Sequence, residues 1–266
     1  ALMLWLLNGV SSFTDALWIL AVWAPVFVVV SMLMFLTLTA AVVRRTARLM
    51  PEGMHPADGM TGWASWLSNL MLSRSLITMY PIYASVLTPL WMRLLGAKVG
   101  RHVEISTMET VPHLTRLEDR TFLADHSMLS ARRVRQGWLH LGPASVAEQS
   151  FVGNSAIVGP DTHVPENSLI AVLSSAPKNM PAGTSWFGRP AVELPRPVQV
   201  GDTARTYDPP RRLLVARSAV EACRILPAVI TAWLALLTVW ALAGLYDAFG
   251  LLTAVLWSGP VLLLSG

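Results

Sequence analysis

Between Val99 and Ser174 aliphatic side chains return at every sixth position. Val99, Ile105, Val111, Leu117, Leu123 and Leu129 keep one phase, and Val146, Val152, Val158, Val164 and Ile170 keep a second. Eleven of the twenty Val, Ile and Leu residues in this stretch fall on those marks, where a random one-in-six phase collects about three. A repeat of six fits neither a helical turn nor a two-faced strand. It is the spacing of a solenoid in which each short strand points one aliphatic side chain inward before the chain turns a corner. Three such units make one triangular coil, so each phase block supplies nearly two coils, and the core is a stack of aliphatic layers. Small residues fill the tight places: Gly100, Gly153 and Gly159 follow an inward aliphatic, and Ser127, Ser150, Ala156, Thr162 and Ser168 stand four places after one. The period alone does not set the hand of the coil.

The two phases are separated by 17 residues, from Leu129 to Val146, with no aliphatic at the intermediate mark. Arg132, Arg133 and Arg135 lie here, ahead of Gly137 and Trp138, which predicts a basic loop leaving the coil. Such a loop is either a functional arm on a rigid scaffold or a solvated bulge.

On both sides of the repeats the pattern becomes apolar. Ala16 to Val43 runs 28 residues without a charge, longer than the roughly 20 needed to cross a bilayer, and predicts a transmembrane helix. Arg44, Arg45 and Arg48 follow and assign that end to the cytoplasmic side. Ala1 to Leu7 reads as the remainder of an earlier span. Pro51 to Gly62 reads as a linker. Trp63, Trp66, Leu67, Leu70 and Met71 then keep helical spacing opposite Ser65, Ser68, Asn69 and Ser73, as in a helix lying on a bilayer or packing on the end of the coil. Ile77 to Leu95, broken by Pro81 and Pro89, reads as an interfacial or re-entrant segment. After Ser175, Pro177, Pro181, Gly183, Gly188 and Pro190 end the strands. Pro195 to Pro210 is a polar linker, and Arg211, Arg212, Arg217 and Arg224 lead into a second span, Ile225 to Leu245. Asp247 turns the chain and Phe249 to Leu264 begins a return. The division is therefore 1–50 spans, 51–95 linker and interfacial helices, 96–198 solenoid, 199–224 linker and 225–266 a helical hairpin.

Composition agrees with a membrane protein, at 53% hydrophobic and 14% charged residues. The net charge of +4 is too diffuse for a nucleic-acid partner. One cysteine, Cys223, excludes an internal disulfide. Metal-ligand spacings, a G-x-S-x-G elbow and phosphate-cradling Gly loops are absent, so no metal site is expected.

The run Pro181-Ala182-Gly183-Thr184-Ser185-Trp186-Phe187-Gly188-Arg189-Pro190-Ala191, placed after the repeats, resembles the closing segment of hexapeptide-repeat acyltransferases. That resemblance implies a mainly β solenoid, a left-handed parallel β-helix, and acyl transfer from a pantetheine thioester. Leu94-Leu95-Gly96-Ala97-Lys98-Val99-Gly100, Phe151-Val152-Gly153-Asn154-Ser155-Ala156 and Ser185 to Pro190 ahead of Glu193-Leu194-Pro195-Arg196 resemble the C-terminal membrane region of epsilon-poly-lysine-synthetase-type nonribosomal peptide synthetases. This likeness covers nearly the whole chain. It implies a condensation-like module joining carrier-bound aminoacyl thioesters to an amine, in a bacterial cytoplasmic membrane with the solenoid on the cytoplasmic side. Its implied partners are carrier and adenylation domains of the same polypeptide, and related β-helix domains that imitate a trimer, or further copies in a homo-oligomer. Two other readings stand beside it: a membrane acetyltransferase using acetyl-CoA, and a non-catalytic scaffold that docks carrier domains.

Amide formation needs a base for the amine and donors for the developing oxyanion. Of the histidines, His126 leads because Asp125 and Ser127 surround it on a strand edge, and His140 is second because it closes the basic loop. Asn154 could polarise a carbonyl or serve a turn. The resemblance makes Asp125 and Glu109 candidates for holding a cationic amine. Arg132, Arg133 and Arg135 could receive carrier acids or the pantetheine phosphate. Ser185, Trp186, Gly188 and Pro190 could line a pantetheine slot, with Gly188 exposing a backbone N–H, or could cap the last coil.

Overall fold

The phase marks turn inward in the computed structural model of the chain, which describes residues 6, 8–10, 12–129, 132–195 and 209–265. Leu117, Leu123, Leu129, Val146, Val152, Val158, Val164 and Ile170 are all sealed from solvent. Each contributes one step of a methyl-rich ladder, and burying such a side chain is worth about 1.5–3 kcal/mol.

The strands that carry them are short. After β1 (Gly53–Pro56), the first circuit is β2 (Lys98–Val99), β3 (Glu104–Ile105) and β4 (Met108–Thr110), followed by a 3-10 turn at Pro112–Leu114. The second is β5 (Thr115–Leu117), β6 (Phe122–Leu123) and β7 (Ser127–Leu129). A hairpin intervenes, β8 (Arg132–Arg135) and β9 (Trp138–Leu141). The third circuit is β10 (Ala144–Val146), β11 (Phe151–Val152) and β12 (Ile157–Val158), and the fourth is β13 (Thr162–Val164) and β14 (Leu169–Ile170), with Ser175 bridging to Ile157. β15 (Ser185–Phe187) and β16 (Val192–Glu193) close the stack.

Pairing between circuits is parallel on all three sides: β2-β5-β10-β13, β3-β6-β11-β14-β15 and β4-β7-β12. The aliphatic marks meet in register, Ile105 on Leu123, Leu123 on Val152 and Val152 on Ile170. These are the three faces of a parallel solenoid, built from the six-residue repeat. Two columns of corners use left-handed backbone, His102, Arg120, Gln149 and Asn167 in one and His126, Ser155 and Leu173 in the other, at φ between 52 and 59°. In each column the amide of one circuit bonds a carbonyl of the circuit before it, as Ser155 N–H does to Asp125 O at 3.0 Å and Leu173 N–H to Asn154 O at 2.9 Å. A Cβ at Gly153 would lie 2.7 Å from the amide nitrogen of Val172, which explains the glycine after the inward Val152.

Two expectations change here. The basic stretch is not a loop: β8 and β9 form an antiparallel hairpin turned by Gln136 and Gly137, both at positive φ, as tight hairpins require. The linker at 51–62 is not merely a linker, because β1 pairs with β9 and makes the hairpin three-stranded. Leu139 and Leu141 supply the reason, since their alternation with Trp138 and His140 buries one edge of the hairpin.

Helix α1 (Phe13–Ala47) contains the first apolar run, α2 (Met60–Thr78) the tryptophan segment, and α3 (Thr88–Leu95) the stretch before the solenoid. The packing of α2 is the reverse of its apolar count: Ala64, Ser65, Ser68, Leu72 and Ser75 are buried while Trp63 and Trp66 are exposed. Small side chains let the helix backbone approach the coil; indoles would hold it off. In α3, Trp91, Met92 and Leu95 are buried, and the helix ends at Gly96, φ +109°, in a left-handed cap. The two helices are joined by a hydrogen-bond chain: the Trp91 indole donates to Tyr83 Oη at 3.0 Å, and Tyr83 lies 2.6 Å from Ser75 Oγ, which itself donates to Leu72 O at 2.7 Å.

The expected linker at 199–224 contains a helix, α4 (Arg211–Ala222), fixed to the coil by Arg217 to Glu104 at 3.0 Å and to the turn ahead of α3 by Val86 N–H to Glu221 at 2.8 Å. Helix α5 (Leu226–Ser265) is broken at Gly250, φ +82°, three residues past the Asp247 turn expected. The earlier span at 1–7, apart from Leu6, and the linker residues 196–208 lie outside the described residues. Contacts divide the chain into one unit at 36–222 and another at 1–35 with 223–266. The regions Phe13–Ala47 and Arg211–Leu263 are long and apolar enough to cross a membrane. In the second unit Trp233 Nε1 donates to Ala21 O at 2.8 Å.

Candidate functional site

Residues one circuit apart stack at the solenoid corners, and this brings Thr107 beneath Asp125. The Thr107 hydroxyl donates to Asp125 Oδ1, Ser106 Oγ reaches the same oxygen at 3.3 Å, and Thr107 Oγ1 in turn accepts the His126 amide at 2.7 Å. One circuit higher, Asn154 Oδ1 accepts the Asp125 amide at 3.2 Å. The carboxylate is thereby held from below through its side chain and from above through its backbone. The Thr107 hydroxyl is the main reason its pKa is lowered from the ordinary value, with the neighbouring imidazole adding to the effect against partial desolvation.

His126 Nε2 stands 4.0 Å from Asp125 Oδ2, and both side chains face solvent, at 74% and 50% exposure. The histidine does not sit on a strand edge as expected but at a left-handed corner, φ +52°. That backbone throws the imidazole off the coil instead of across a sheet. An anionic carboxylate, an accessible imidazole and a side-chain amide oriented by its carbonyl oxygen therefore meet on one corner. Such a set can hold an ammonium group, accept a proton and donate to a carbonyl oxygen.

The other candidates are distributed elsewhere. His140, on β9, pairs with Asp161 at 2.9 Å, at the corner between β12 and β13, and belongs to that pair rather than to the His126 corner. Glu109 is bound by Arg132, whose guanidinium also donates to Asn69 on α2, so the two proposed substrate contacts neutralise each other and tie α2 to the coil. Arg133 reaches toward Gly159, and Arg133 and Arg135 are exposed. In the closing segment Ser185 is buried, the Gly188 amide donates to Ser174 Oγ at 2.8 Å, and the Trp186 indole donates to Thr184 at 2.9 Å. These donors are committed to capping the last coil; Pro190 lies on its exposed surface.

Sequence reasoning passed over Thr107 and Asp161. The first was detectable, since Thr107 precedes Asp125 by one circuit of the repeat. Asp161 gave no comparable signal, because its partner arrives on a hairpin that the repeat does not describe. A Ser145 Oγ to His163 Nδ1 contact of 2.8 Å on the outer face of β10 and β13 also went unread.

No family model matches the chain. It is 36% identical over 184 residues to delta-poly-L-ornithine synthetase of Acinetobacter baumannii (strain AB307-0294), a match spanning 67% of this chain and 14% of that protein. Among solved structures it overlaps serine acetyltransferase from Brucella abortus strain S19 (TM-score 0.33, 16% identity, 59% of this chain and 55% of that one). It also overlaps galactoside acetyltransferase in complex with coenzyme A (TM-score 0.31, 12% identity, 65% and 86%). Scores this low decide neither fold nor chemistry.

Proposed function

We propose that this chain is a membrane-anchored acyl-transfer module of an amino-acid polymer synthetase, and that the Thr107–Asp125–His126–Asn154 corner is where an amine meets a carrier-bound aminoacyl thioester. The observation that carries the reading is the 36% identity to a poly-ornithine synthetase over 184 residues, 67% of this chain. The corner supports it chemically. Asp125 holds the ammonium of the incoming amino acid, His126 takes the proton that frees its lone pair, and the Asn154 amide hydrogens meet the carbonyl oxygen as charge develops on it. The amine nitrogen bonds to the thioester carbon and the C–S bond breaks. The thiolate leaves on the pantetheine arm and takes up one proton, and the second proton lost from nitrogen passes to solvent. The pantetheine is the substrate's handle, so the module needs no resident cofactor.

The rest of the proposal follows the same reading. The coil carries the left hand of hexapeptide acyltransferases, and the apolar regions of α1 and α5 cross a bacterial cytoplasmic membrane with the solenoid on the cytoplasmic side. Carrier and adenylation domains reside in the same polypeptide, and related β-helix domains complete a pseudo-trimer. Arg133 and Arg135, left free of the Glu109 pair, face the acidic carrier.

Acceptor dependence tests the assignment of Asp125. In the intact synthetase with its carrier preloaded, Asp125→Asn should raise KM for a cationic acceptor amine about tenfold, the scale of one lost charge-assisted hydrogen bond, and leave a neutral acceptor nearly unaffected. An unchanged KM for both acceptors would remove Asp125 from the site.

A further inference from the structure

The outward faces of α2 and α3 are apolar although both helices already have a packed inner face. On α2, Met60, Trp63, Trp66 and Ile77 recur at helical spacing and are exposed, Ile77 at 71%; Arg74 is exposed among them. On α3, Leu87 at its start, Leu90 and Leu94 are exposed opposite the buried Trp91, Met92 and Leu95. The Ser75–Tyr83–Trp91 hydrogen-bond chain fastens the inner sides of the two helices together. A soluble surface would not place two tryptophans and four aliphatic side chains outward while burying four serines and threonines on the inner faces.

What covers this face is indicated by the end of α1. Within the same unit, Arg44 Nε and Nη2 donate to the carbonyls of Leu94 and Arg93 at the end of α3, and Met50 O accepts from His113 in the first circuit. The C-terminal end of a helix long enough to span a bilayer is thus fixed to the same cap of the solenoid that presents the apolar stripes. Arg45 and Arg48, also exposed, stand at that end. Tryptophans beside arginines, at the mouth of a span, are the composition of a membrane interface carrying negative charge.

We infer that α2 and α3 form an in-plane collar, their outer stripes sunk into the headgroup region of an anionic bilayer with Arg45, Arg48 and Arg74 against lipid phosphates. The collar fixes the height of the first circuit above the membrane, and with it the height of the Asp125 corner one circuit further on. This inference rests on α1 crossing the bilayer but not on the acyl-transfer chemistry.

The test uses the full chain in vesicles of phosphatidylcholine and phosphatidylglycerol, with Cys223→Ser as background and spin labels introduced by Trp66→Cys, Ile77→Cys and Leu90→Cys. Lys98→Cys on the outer face of β2 is the aqueous control. The ratio of oxygen to nickel-chelate accessibility should be several-fold higher at the three collar sites than at position 98, and should fall toward the control when phosphatidylglycerol is omitted. Water-like ratios at all collar sites, or shielding from both reagents as under a protein partner, would overturn the collar. Alkaline carbonate washing of the same vesicles separates the two premises: retention of the chain with water-like labels refutes the collar alone, and release of the chain refutes the span and the collar together.

Discussion

A single corner asks two things of His126. Its backbone sits at φ +52°, a conformation that costs an ordinary L-residue energy and that Asn, Asp, His and Gly tolerate best. Its ring stands 4.0 Å from Asp125, where the proposed transfer needs a base. The first demand is structural and explains a histidine without any chemistry, so the informative substitution is His126→Asn, which retains the left-handed preference and removes the imidazole. Asp125 makes a sharper claim. Because Thr107 donates to the carboxylate, the folded state favours the anion, and its contribution to stability is present above the unfolded carboxyl pKa and lost as pH falls through the lowered folded value. Carbon NMR of the labelled carboxyl should place its inflection below the ordinary Asp value of 3.8, and Thr107→Val should move the inflection upward. An inflection unaffected by Thr107→Val would show that another group sets the charge.

At the level of strands and helices, the six-residue period placed ten of its eleven aliphatic marks in the core, because one inward residue per short strand buries them together; Val99, on the first strand, is half-buried. It also assigned the tight positions, though not equally. A Cβ at Gly153 would meet backbone at 2.7 Å, whereas at Gly159 the nearest atom is the end of the Arg133 side chain at 3.5 Å. Gly153→Ala should therefore cost about 1–3 kcal/mol, seen as a lower thermal midpoint, while Gly159→Ala should be close to neutral. Equal losses at both would mean that the corners yield more than this packing allows. The period could not describe what departs from it. The hairpin at Arg132–Leu141 is set by a positive-φ Gln136–Gly137 turn and by pairing with β1, from Gly53 on Leu141 to Pro56 on Trp138, a partner far away in the sequence that no local pattern announces. The α2 face was misleading for a related reason: amphipathic spacing shows that a helix has two sides, and the decision about which side meets the coil lies with the small residues that permit close approach.

For the whole molecule, the ladder of paired circuits within the unit at 36–222 sets which candidate side chains can meet. The candidate residues divide accordingly. Asp125, His126 and Asn154 were legible and are brought together, since stacking by one circuit follows from the repeat. His140, Glu109 and Arg132 were legible as chemistry but not as partners, because their contacts with Asp161 and Asn69 depend on the hairpin and α2. The most direct test is single-turnover amide formation by the intact synthetase carrying preloaded aminoacyl carrier, comparing wild type with the Asp125→Asn, His126→Asn double variant. The expected rate of the double variant is about a hundredfold lower or more, with carrier loading and the circular dichroism spectrum unchanged. A rate within twofold of wild type would contradict it and leave the solenoid without a catalytic corner.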